Sequence, residues 1–575
     1  PISMSTLTEN AIQILEDRYF IKDKHGHIVE DSIELFKRVA KSVSLCENEK
    51  SEFYEKQFYE LLSGLYFLPN SPTLMNAGCK DGQLSACFVL PVEDSLESIF
   101  TTLKNTALIH QSGGGTGFNF SKLRPKDDMV SSTSGTSSGP VAFMKIYDAA
   151  TEYVKQGGKR RGANMGILNV DHPDIIEFIH SKSTKKVIEN FNISVGISDA
   201  FMEAVINDSD WQLINPRTKG VDTVLRAKSL WEMIITQAWE TGDPGLIFLD
   251  TINDHNQTPE IGTISSTNPC GEVPLLDYES CNLGSINLSK MVVLKNELYT
   301  VDWKKLSETI HLAIRFLDNI ITINHYLLPE IKDITTSNRK IGLGVMGWAE
   351  LLILLEIPYA SEKALSLGEK LMQFIKRESY KASSNLALEK GCFPNWKKSI
   401  HYPDQKMRNA TCNSIAPTGT ISVIGNTSYS IEPLFALAYK RIGILGGKTQ
   451  TEVNRHFVHK MKTLGLWSSE VEEEIVKTGS IKNIKYIPAS LKELFQTSLE
   501  IPWQYHLKHQ KVFQESTDNA VSKTINLPEN ASIQEVSEIF ILAWQYKLKG
   551  ITIYRYGSKE NQVLQKCSLN NSVNC

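Results

Sequence analysis

A short run of residues around Cys270 combines side chains that are suited to radical or acid–base chemistry. The sequence Asn268-Pro-Cys-Gly-Glu272 places a carboxylate two residues after a thiol and an amide two residues before it, and a second thiol, Cys281, follows eleven positions on. Cys270 is a candidate thiol or thiyl centre, Glu272 an acid or base, Asn268 a hydrogen-bonding amide and Cys281 a reserve thiol. Buried cysteines usually pack without reacting, so these residues alone leave a packing role open.

The elements that must position these residues alternate between helical patterns and short β-branched runs, which favours an α/β architecture. Residues 7–20, with Thr8 as the cap, begin a helical N-terminal region that continues through residues 31–44 and 47–65. Residues 301–324 predict an amphipathic helix because their apolar side chains recur on one face. The predicted strands or apolar runs are residues 193–197, 245–249, 285–288, 420–424 and 550–554.

Composition excludes several classes of protein. Hydrophobic residues make up 41% and charged residues 22% of the 575, which is ordinary for a globular chain, and the net charge of −4 gives no basic surplus for a nucleic-acid polymer. The nine cysteines are sparse and odd in number, which favours a reducing compartment and hence the cytoplasm. No apolar run reaches the ~18 residues of a membrane span. The chain has no C-x-x-C pair, and we assign no metal ligand.

Two glycine-rich stretches could suggest nucleotide binding. Ser112-Gly-Gly-Gly-Thr-Gly117 lacks a following Lys-Ser/Thr, so it is not a P-loop. Gly342-Leu-Gly-Val-Met-Gly347 fits G-x-G-x-x-G, but it follows a polar stretch rather than a predicted strand. A tight turn with close packing is therefore the better interpretation of the second stretch.

Longer blocks of the sequence resemble the ribonucleotide reductase large subunit, above all its adenosylcobalamin-dependent class II form. Around Cys270 the resemblance covers Asn-Pro-Cys-Gly-Glu-Val-Pro-Leu and then Ser-Cys-Asn-Leu-Gly-Ser-Ile-Asn-Leu. It recurs, in the family's order, at residues 67–78, 83–90, 112–120, 160–166, 416–422 and 550–557. The resemblance implies a ten-stranded α/β barrel, made of two antiparallel five-stranded halves, in residues 71–557. The helical N-terminal region (4–70) would precede the barrel, and a mobile redox tail (558–575) would follow it.

The same resemblance assigns roles inside the barrel. Cys270 would be a transient thiyl that takes hydrogen from C3′ of a ribonucleotide, with Glu272 as the base for the 3′-hydroxyl and Asn268 as the orienting amide. Cys87 and Cys281 would be the dithiol that becomes a disulfide, which requires Cα atoms within ~7 Å. The residues implied to contact substrate are Ser71, Ala86, Pro417, Thr418, Gly419, Thr420 and Ile421.

The resemblance also implies allosteric control of substrate specificity by dNTP or ATP effectors, bound at a homodimer interface. The matching effector positions are Asp94, Arg124, Lys155, Gln156, Arg160 and Arg161. No further nucleotide domain precedes the helical region, so only a specificity site is expected. Cys567 and Cys575 resemble the tail pair that passes electrons from a thioredoxin-like reductant, although seven residues separate them, more than in the family's tight pair.

The identity of the radical generator depends on absent motifs. Tyr554-Arg-Tyr556 lacks the adjacent tyrosine pair of the class I relay, and a class III glycyl-radical motif with its zinc cysteines is missing. Class II remains, which implies adenosylcobalamin as cofactor. The chain resembles the dimeric forms of the family more than the monomeric triphosphate enzymes, which implies ribonucleoside diphosphates as substrates. Two alternatives stay open: a class I-like large subunit that needs a separate radical-generating subunit, and a non-catalytic nucleotide-binding regulator.

Overall fold

The structure is a computed structural model and describes residues 7–157, 162–184, 186–445 and 448–558. Its α-helices are α1 (Glu9–Ile14), α2 (Ser32–Ser44), α3 (Ser51–Ser63), α4 (Ser71–Asn76), α5 (Leu96–Gln111), α6 (Pro140–Gly157), α7 (Ile175–Ile179), α8 (Asp199–Ile206), α9 (Ala227–Thr241), α10 (Leu249–Asp254), α11 (Trp303–Ile323), α12 (Pro329–Asn338), α13 (Trp348–Leu354), α14 (Glu362–Lys390), α15 (Ile421–Ile424), α16 (Arg455–Thr463), α17 (Ser469–Thr478), α18 (Ala489–Leu494), α19 (Trp503–Glu515) and α20 (Ile533–Gln545). Its strands are β1 (Phe67–Pro69), β2 (Cys87–Val89), β3 (Gly115–Asn119), β4 (Met129–Val130), β5 (Gly135–Thr136), β6 (Asn164–Asn169), β7 (Phe191–Ile197), β8 (Asp210–Ile214), β9 (Val221–Arg226), β10 (Gly245–Phe248), β11 (Ser266–Thr267), β12 (Pro274–Leu275), β13 (Ser280–Asn287), β14 (Val292–Lys295), β15 (Leu298–Val301), β16 (Ile341–Met346), β17 (Ala438–Leu445), β18 (Lys448–Val453), β19 (Thr524–Leu527) and β20 (Gly550–Arg555).

Two sets of parallel strands form the walls of one barrel. In the first set, β2, β3, β6, β7 and β10 pair side by side. In the second set, β13 pairs with β16 and β19 pairs with β20. Parallel bridges from Leu343 to Asn413 and from Ile415 to Val521 place residues 413–415 as the strand between these two pairs.

The two sets meet in antiparallel pairs at β2–β13 and at β10–β20, and these two junctions close the barrel. Each half therefore supplies five strand positions. The hydrogen-bonded sheet also contains ten strands, because it includes β1, which pairs with the end of β13, instead of residues 413–415. The expected ten-stranded α/β barrel of two antiparallel halves is confirmed.

Helices cover the outside of each half, as expected when both faces of parallel strands are buried. Helix α11 packs against β13 and β16 and buries the predicted apolar stripe, including Leu306, Ile310 and Leu317. The helix begins where Asp302 accepts a hydrogen bond from the Lys305 N–H at 3.0 Å. Around the first half, α9 and α20 pack against each other in a second apolar core.

The N-terminal region is helical as predicted, with two local differences. Thr8 caps α1 by accepting a hydrogen bond from the Ala11 N–H at 3.1 Å, but α1 ends at Ile14 and the chain continues as a π-helix, Leu15–Tyr19. The predicted helix over residues 47–65 is divided, because a 3-10 helix, Leu45–Lys50, precedes α3. A small unit with its own apolar core, β17–β18 and α16–α18, lies between α15 and β19 and was not anticipated.

Two interpretations of the sequence are corrected by the fold. The predicted run at residues 420–424 contains the one-turn helix α15, Ile421–Ile424, rather than a strand. Thr418 has a left-handed backbone (φ 55°), and its carbonyl accepts a hydrogen bond from the Ser422 N–H at 3.1 Å. The Gly342–Gly347 motif lies mostly on β16 rather than in a turn. A Cβ at Gly344 would lie 2.1 Å from the Ser414 carbonyl oxygen, so this glycine permits close packing of neighbouring strands.

In the part of the chain that the structure describes, no helix combines the length and the apolar character that crossing a membrane requires.

Candidate active site

A short hairpin inside the barrel carries Cys270. Strands β11 and β12 pair antiparallel, and the Asn268 N–H extends this pairing to the Val273 carbonyl at 3.2 Å. The Gly271 N–H then donates to the Asn268 carbonyl at 3.1 Å, which closes a four-residue turn with proline in its second position. Gly271 has φ +83°, a conformation that favours glycine. Cys270 therefore lies at the tip of residues 266–275, here called the central hairpin.

Two glycines of β3 make room for the central hairpin. A Cβ at Gly117 would lie 1.6 Å from the Thr267 carbonyl oxygen, and a Cβ at Gly115 would lie 2.9 Å from Pro269 Cγ. Because alternate residues of a strand share a face, both positions open the same face of β3 to the hairpin backbone. This is the role of the glycine-rich stretch that did not fit a P-loop. Glycines at alternate positions of a strand were the signal that sequence analysis missed.

Both halves of the barrel hold the hairpin through hydrogen bonds to its backbone. From the first half, the Asn192 side chain donates to the Pro269 carbonyl at 2.8 Å. From the second half, Ser414 Oγ and the Ala520 N–H both donate to the Glu272 carbonyl at 2.8 Å. None of these donors was predicted, although an asparagine within an apolar strand run was a usable signal. The bonds fix the tip of the hairpin from opposite sides.

Cys87 and Cys281 face each other on neighbouring strands. They are register partners in the antiparallel pair β2–β13, and facing residues of such a pair have Cα atoms about 4.5–5.5 Å apart. That separation lies within the range a disulfide needs. Asn268 Nδ2 donates to Cys87 Sγ at 3.4 Å, and Asn268 Oδ1 accepts from the Val273 N–H at 2.9 Å. Burial raises the pKa of the Cys281 thiol, which keeps it protonated at neutral pH.

One cavity collects the predicted residues. It has an empty volume of about 780 Å³, its open mouth included, and four of the five predicted catalytic residues line it: Cys87, Asn268, Cys270 and Glu272. Cys281 is buried behind Cys87, and the Glu272 side chain is itself buried. All the predicted substrate-contacting residues also line this cavity: Ser71, Ala86, Pro417, Thr418, Gly419, Thr420 and Ile421.

The loop before α15 forms one wall of the cavity. Thr418 adopts its left-handed backbone here, and its Oγ1 accepts a hydrogen bond from the Ser430 N–H at 2.8 Å. The turn presents Gly419 and Thr420 to the cavity directly before the helix begins. Hydroxyl and backbone N–H groups in such a turn suit the oxygens of a phosphate.

Asp94 and Arg124, here called the effector pair, lie together but do not line this cavity. Arg124 Nε donates to Asp94 Oδ2 at 2.9 Å, the Arg124 N–H donates to Asp94 Oδ1 at 3.1 Å, and Arg124 Nη1 donates to the Met129 carbonyl at 2.8 Å. Lys155 and Gln156 fall at the end of α6, where only the backbone is described. The predicted residues Arg160, Arg161, Cys567 and Cys575 lie outside the described residues.

Two family models match the barrel and the helical N-terminal region of this chain. The family model "Ribonucleotide reductase, barrel domain" matches residues 85–406 and 403–554, and "Ribonucleotide reductase, all-alpha domain" matches residues 5–82. The chain belongs to the ribonucleotide reductase family. This membership accounts for the barrel.

Individual relatives cover most of the chain. A "Vitamin B12-dependent ribonucleoside-diphosphate reductase" of Thermoplasma acidophilum is 49% identical over 97% of this chain and 80% of its own length. A protein of the same name from Mycobacterium tuberculosis is 46% identical with the same coverage. The "Ribonucleoside-diphosphate reductase subunit alpha" of Chlamydia pneumoniae is 30% identical over 94% of this chain and 58% of its own length.

A solved structure shares the fold. The "Actinobacillus ureae class Id ribonucleotide reductase alpha subunit" superposes with a TM-score of 0.80 and covers 97% of this chain and 98% of its own. At 23% identity it supports the architecture alone.

Proposed function

We propose that this chain reduces ribonucleoside diphosphates to 2′-deoxyribonucleotides by thiyl-radical chemistry that adenosylcobalamin starts. One observation carries the proposal. The central hairpin brings Cys270 and Glu272 into the same cavity as Cys87, which faces Cys281 on the neighbouring strand. The cavity thus offers a radical centre, an acid–base group and two reducing equivalents together.

The reaction needs a hydrogen acceptor at C3′, a base at the 3′-hydroxyl, a proton for the departing 2′-hydroxyl and two electrons. Cys270, as a thiyl, takes the C3′ hydrogen and returns it at the end of the turnover. Glu272 holds the proton of the 3′-hydroxyl, and the Asn268 amide orients the reacting groups. Cys87 protonates the leaving hydroxyl. A ribonucleotide and the two thiols of Cys87 and Cys281 then give a 2′-deoxyribonucleotide, a disulfide and water.

The hairpin tip leaves room for the cofactor to reach the thiol. A Cβ at Gly271 would meet a single neighbour, Ile247 Cδ1, at 4.0 Å, so the hairpin is not packed tightly against the opposite wall. Cys270 itself is only half-buried. Cys270, Gly271 and Ile247 would therefore border the group. Adenosylcobalamin, when bound, supplies the organic radical that oxidises the Cys270 thiol. The relatives named as vitamin B12-dependent support this cofactor.

A diphosphate substrate is supported by the names of the same relatives and by the loop that opens into the cavity before α15. Its turn offers hydroxyl and N–H groups to phosphate oxygens, while the central hairpin, which carries the reacting groups, meets the ribose.

Effector control and a homodimer belong to the same proposal. Helices α5 and α6 pack together and expose large apolar side chains, among them Leu96, Phe100, Ile146 and Tyr153. A surface of this kind marks an interaction site, and a second copy of the chain would cover it. The effector pair, a carboxylate and a guanidinium, suits the ribose hydroxyl and the phosphate of a dNTP or ATP. Sedimentation with and without dNTP tests the assembly, and a chain that stays monomeric throughout contradicts it.

We also propose that Cys567 and Cys575 pass electrons from a thioredoxin-like protein to the Cys87–Cys281 disulfide. Changing both tail residues to serine should remove turnover that is supported by the protein reductant and leave turnover with dithiothreitol unchanged, because a small thiol reaches the buried disulfide directly. Equal loss with both reductants contradicts the shuttle.

The first experiment measures anaerobic reduction of a ribonucleoside diphosphate with dithiothreitol, with and without adenosylcobalamin and an effector nucleotide. Deoxynucleotide formed only with the cofactor supports the proposal. The variant Cys270→Ala should then be inactive while it still binds substrate, and Cys79→Ser, which changes an exposed cysteine away from the cavity, should keep full activity.

The two alternatives predict other results. Turnover that ignores the cofactor and requires an added radical-generating subunit would favour the class I-like interpretation. Nucleotide binding without any conversion, equal in Cys270→Ala and the unmodified chain, would favour the regulator.

A further inference from the structure

One side chain of the N-terminal helical region, Tyr19, forms a hydrogen bond with a residue that lines the cavity. The tyrosine is 2% exposed, and its hydroxyl lies 2.6 Å from Ser71 Oγ. Ser71 is the first residue of α4 and lines the cavity. Tyr19 itself is not among the cavity-lining residues, and its polar contact with the cavity wall is the one to Ser71.

A local irregularity of the helix brings the hydroxyl there. Helix α1 continues as the π-helix Leu15–Tyr19, and the Phe20 N–H donates to the Leu15 carbonyl at 2.8 Å. A π-helix is wider than an α-helix and is frequent at functional sites. Because the wider turn changes the direction of every later side chain, Tyr19 would point elsewhere from a regular α-helix.

The direction of the hydrogen bond follows from burial. A buried hydroxyl hydrogen without an acceptor costs free energy, and Ser71 Oγ is the acceptor that the structure offers to Tyr19. If Ser71 donated instead, the tyrosine hydrogen would have no acceptor among the described residues, inside an apolar core. Tyr19 therefore donates, which leaves the hydroxyl hydrogen of Ser71 available to the cavity.

The same N-terminal segment contacts both walls of the cavity. The π-helix packs against α4, which begins at Ser71, and α1 packs against α15, which follows the loop at Thr418–Thr420. Ile14, Leu15 and Tyr19 share one apolar core with Ile421 and Ile424. The segment thus fixes Ser71 relative to the loop before α15.

We propose that Tyr19 is a positioning residue for substrate: its hydroxyl donates to Ser71 Oγ and so directs the Ser71 hydroxyl hydrogen to a phosphate oxygen of the bound ribonucleoside diphosphate. The inference rests on the proposed function. It adds a residue of the helical region to the groups by which the enzyme recognises the phosphate of its substrate. Tyr19 touches neither substrate nor the reacting groups, so it governs binding rather than the chemical step.

The test compares Tyr19→Phe, Ser71→Ala and the double variant in the full chain, by steady-state kinetics and by calorimetric binding of a ribonucleoside diphosphate. Tyr19→Phe should raise KM and Kd about fivefold, the effect of one lost hydrogen bond, with kcat within about twofold. The double variant should be no worse than Ser71→Ala, because both changes break the same chain of hydrogen bonds. Tyr326→Phe is the matched control, since the Tyr326 hydroxyl donates to the Ile321 carbonyl at 2.8 Å away from the cavity.

Two results overturn the inference alone: an unchanged KM in Tyr19→Phe, even with a lower Tm, or effects of Tyr19→Phe and Ser71→Ala that multiply in the double variant. An equal rise in KM for Tyr326→Phe also overturns it, because a general loss of packing would then explain the effect. An unmodified chain that binds no ribonucleoside diphosphate overturns the proposed function and the inference together.

Discussion

The central hairpin and the effector pair are held in opposite ways. The hairpin is buried, and its backbone carbonyls accept hydrogen bonds from both halves of the barrel. Because Gly115 and Gly117 have no Cβ atoms, β3 packs closely against it. Asp94 and Arg124 are each about a quarter exposed and hold each other through a salt bridge of 2.9 Å. Ion pairs near the surface contribute only about 0–1 kcal/mol. The contact within the effector pair can therefore open at little cost in free energy, whereas the hairpin cannot move without losing several buried hydrogen bonds.

The largest expected effect comes from displacing the hairpin. In Gly117→Ala the new Cβ would lie 1.6 Å from the Thr267 carbonyl oxygen, so the hairpin must shift by more than an ångström. Because a misplacement of that size costs about 100-fold in rate, we expect kcat to fall at least that far while effector binding is unchanged. Gly220→Ala is the control, since its Cβ would find only Thr218 Oγ1 at 3.5 Å. Full activity in Gly117→Ala would mean that the hairpin is not held by β3.

A smaller effect is expected at the effector pair. Asp94→Asn keeps the shape of the side chain but removes the charge that would bind a ribose hydroxyl. Since a hydrogen bond to a charged group contributes about 1.5–3 kcal/mol, the effector Kd should rise about 30-fold in equilibrium binding. Asp208→Asn, which alters the more exposed pair with Arg226, should bind effector normally. If the two variants bind effector alike, Asp94 is not an effector contact.

Burial of Cys281 predicts a pH dependence of stability. The folded state raises the pKa of Cys281 above the value of about 8.5 for an unfolded thiol, so it favours the protonated form. The resulting stabilisation is complete below about pH 8.5 and falls by about 1.4 kcal/mol per pH unit above it. In reducing buffer, the pH dependence of the free energy of urea unfolding between pH 7 and 10 should be the same in the unmodified chain and in Cys79→Ser. In Cys281→Ala the contribution of Cys281 is absent, so the slope above about pH 8.5 should be less negative by about 1.4 kcal/mol per pH unit. Equal slopes in all three would contradict the assignment.

The sequence could predict those parts of the site whose residues lie close together along the chain. Asn268, Cys270 and Glu272 lie within five consecutive residues, so one motif revealed them, and the motif at residues 416–422 did the same for the loop before α15. Cys87 could be joined to Cys281 only by resemblance, because strand register brings them together across almost 200 residues. The periodicity of α11 revealed that helix, since its apolar face is continuous.

Contacts that cross the barrel left no such local signal. In the sequence, Asn192 and Ser414 cannot be distinguished from other polar residues. Only the fold shows that they lie beside the hairpin backbone. The π-helix before Phe20 has the same apolar spacing as a regular helix, so only the structure shows where Tyr19 points. In α15, a left-handed residue and a backbone hydrogen bond prevail over the β-branched composition of residues 420–424.

The smallest expected effect tests one support of the hairpin. Ser414→Ala removes the side-chain donor to the Glu272 carbonyl but leaves the Ala520 N–H in place at 2.8 Å. With one of two donors kept, we expect a loss of about 1 kcal/mol in the free energy of unfolding and a fall of about fivefold in kcat. Ser63→Ala is the matched control, because Ser63 Oγ donates to the Tyr59 carbonyl at 2.7 Å in α3, away from the cavity. Both variants should lose similar stability, but only Ser414→Ala should lose kcat. A fall in kcat for both would show that the rate follows overall stability and that the second half of the barrel does not orient Glu272.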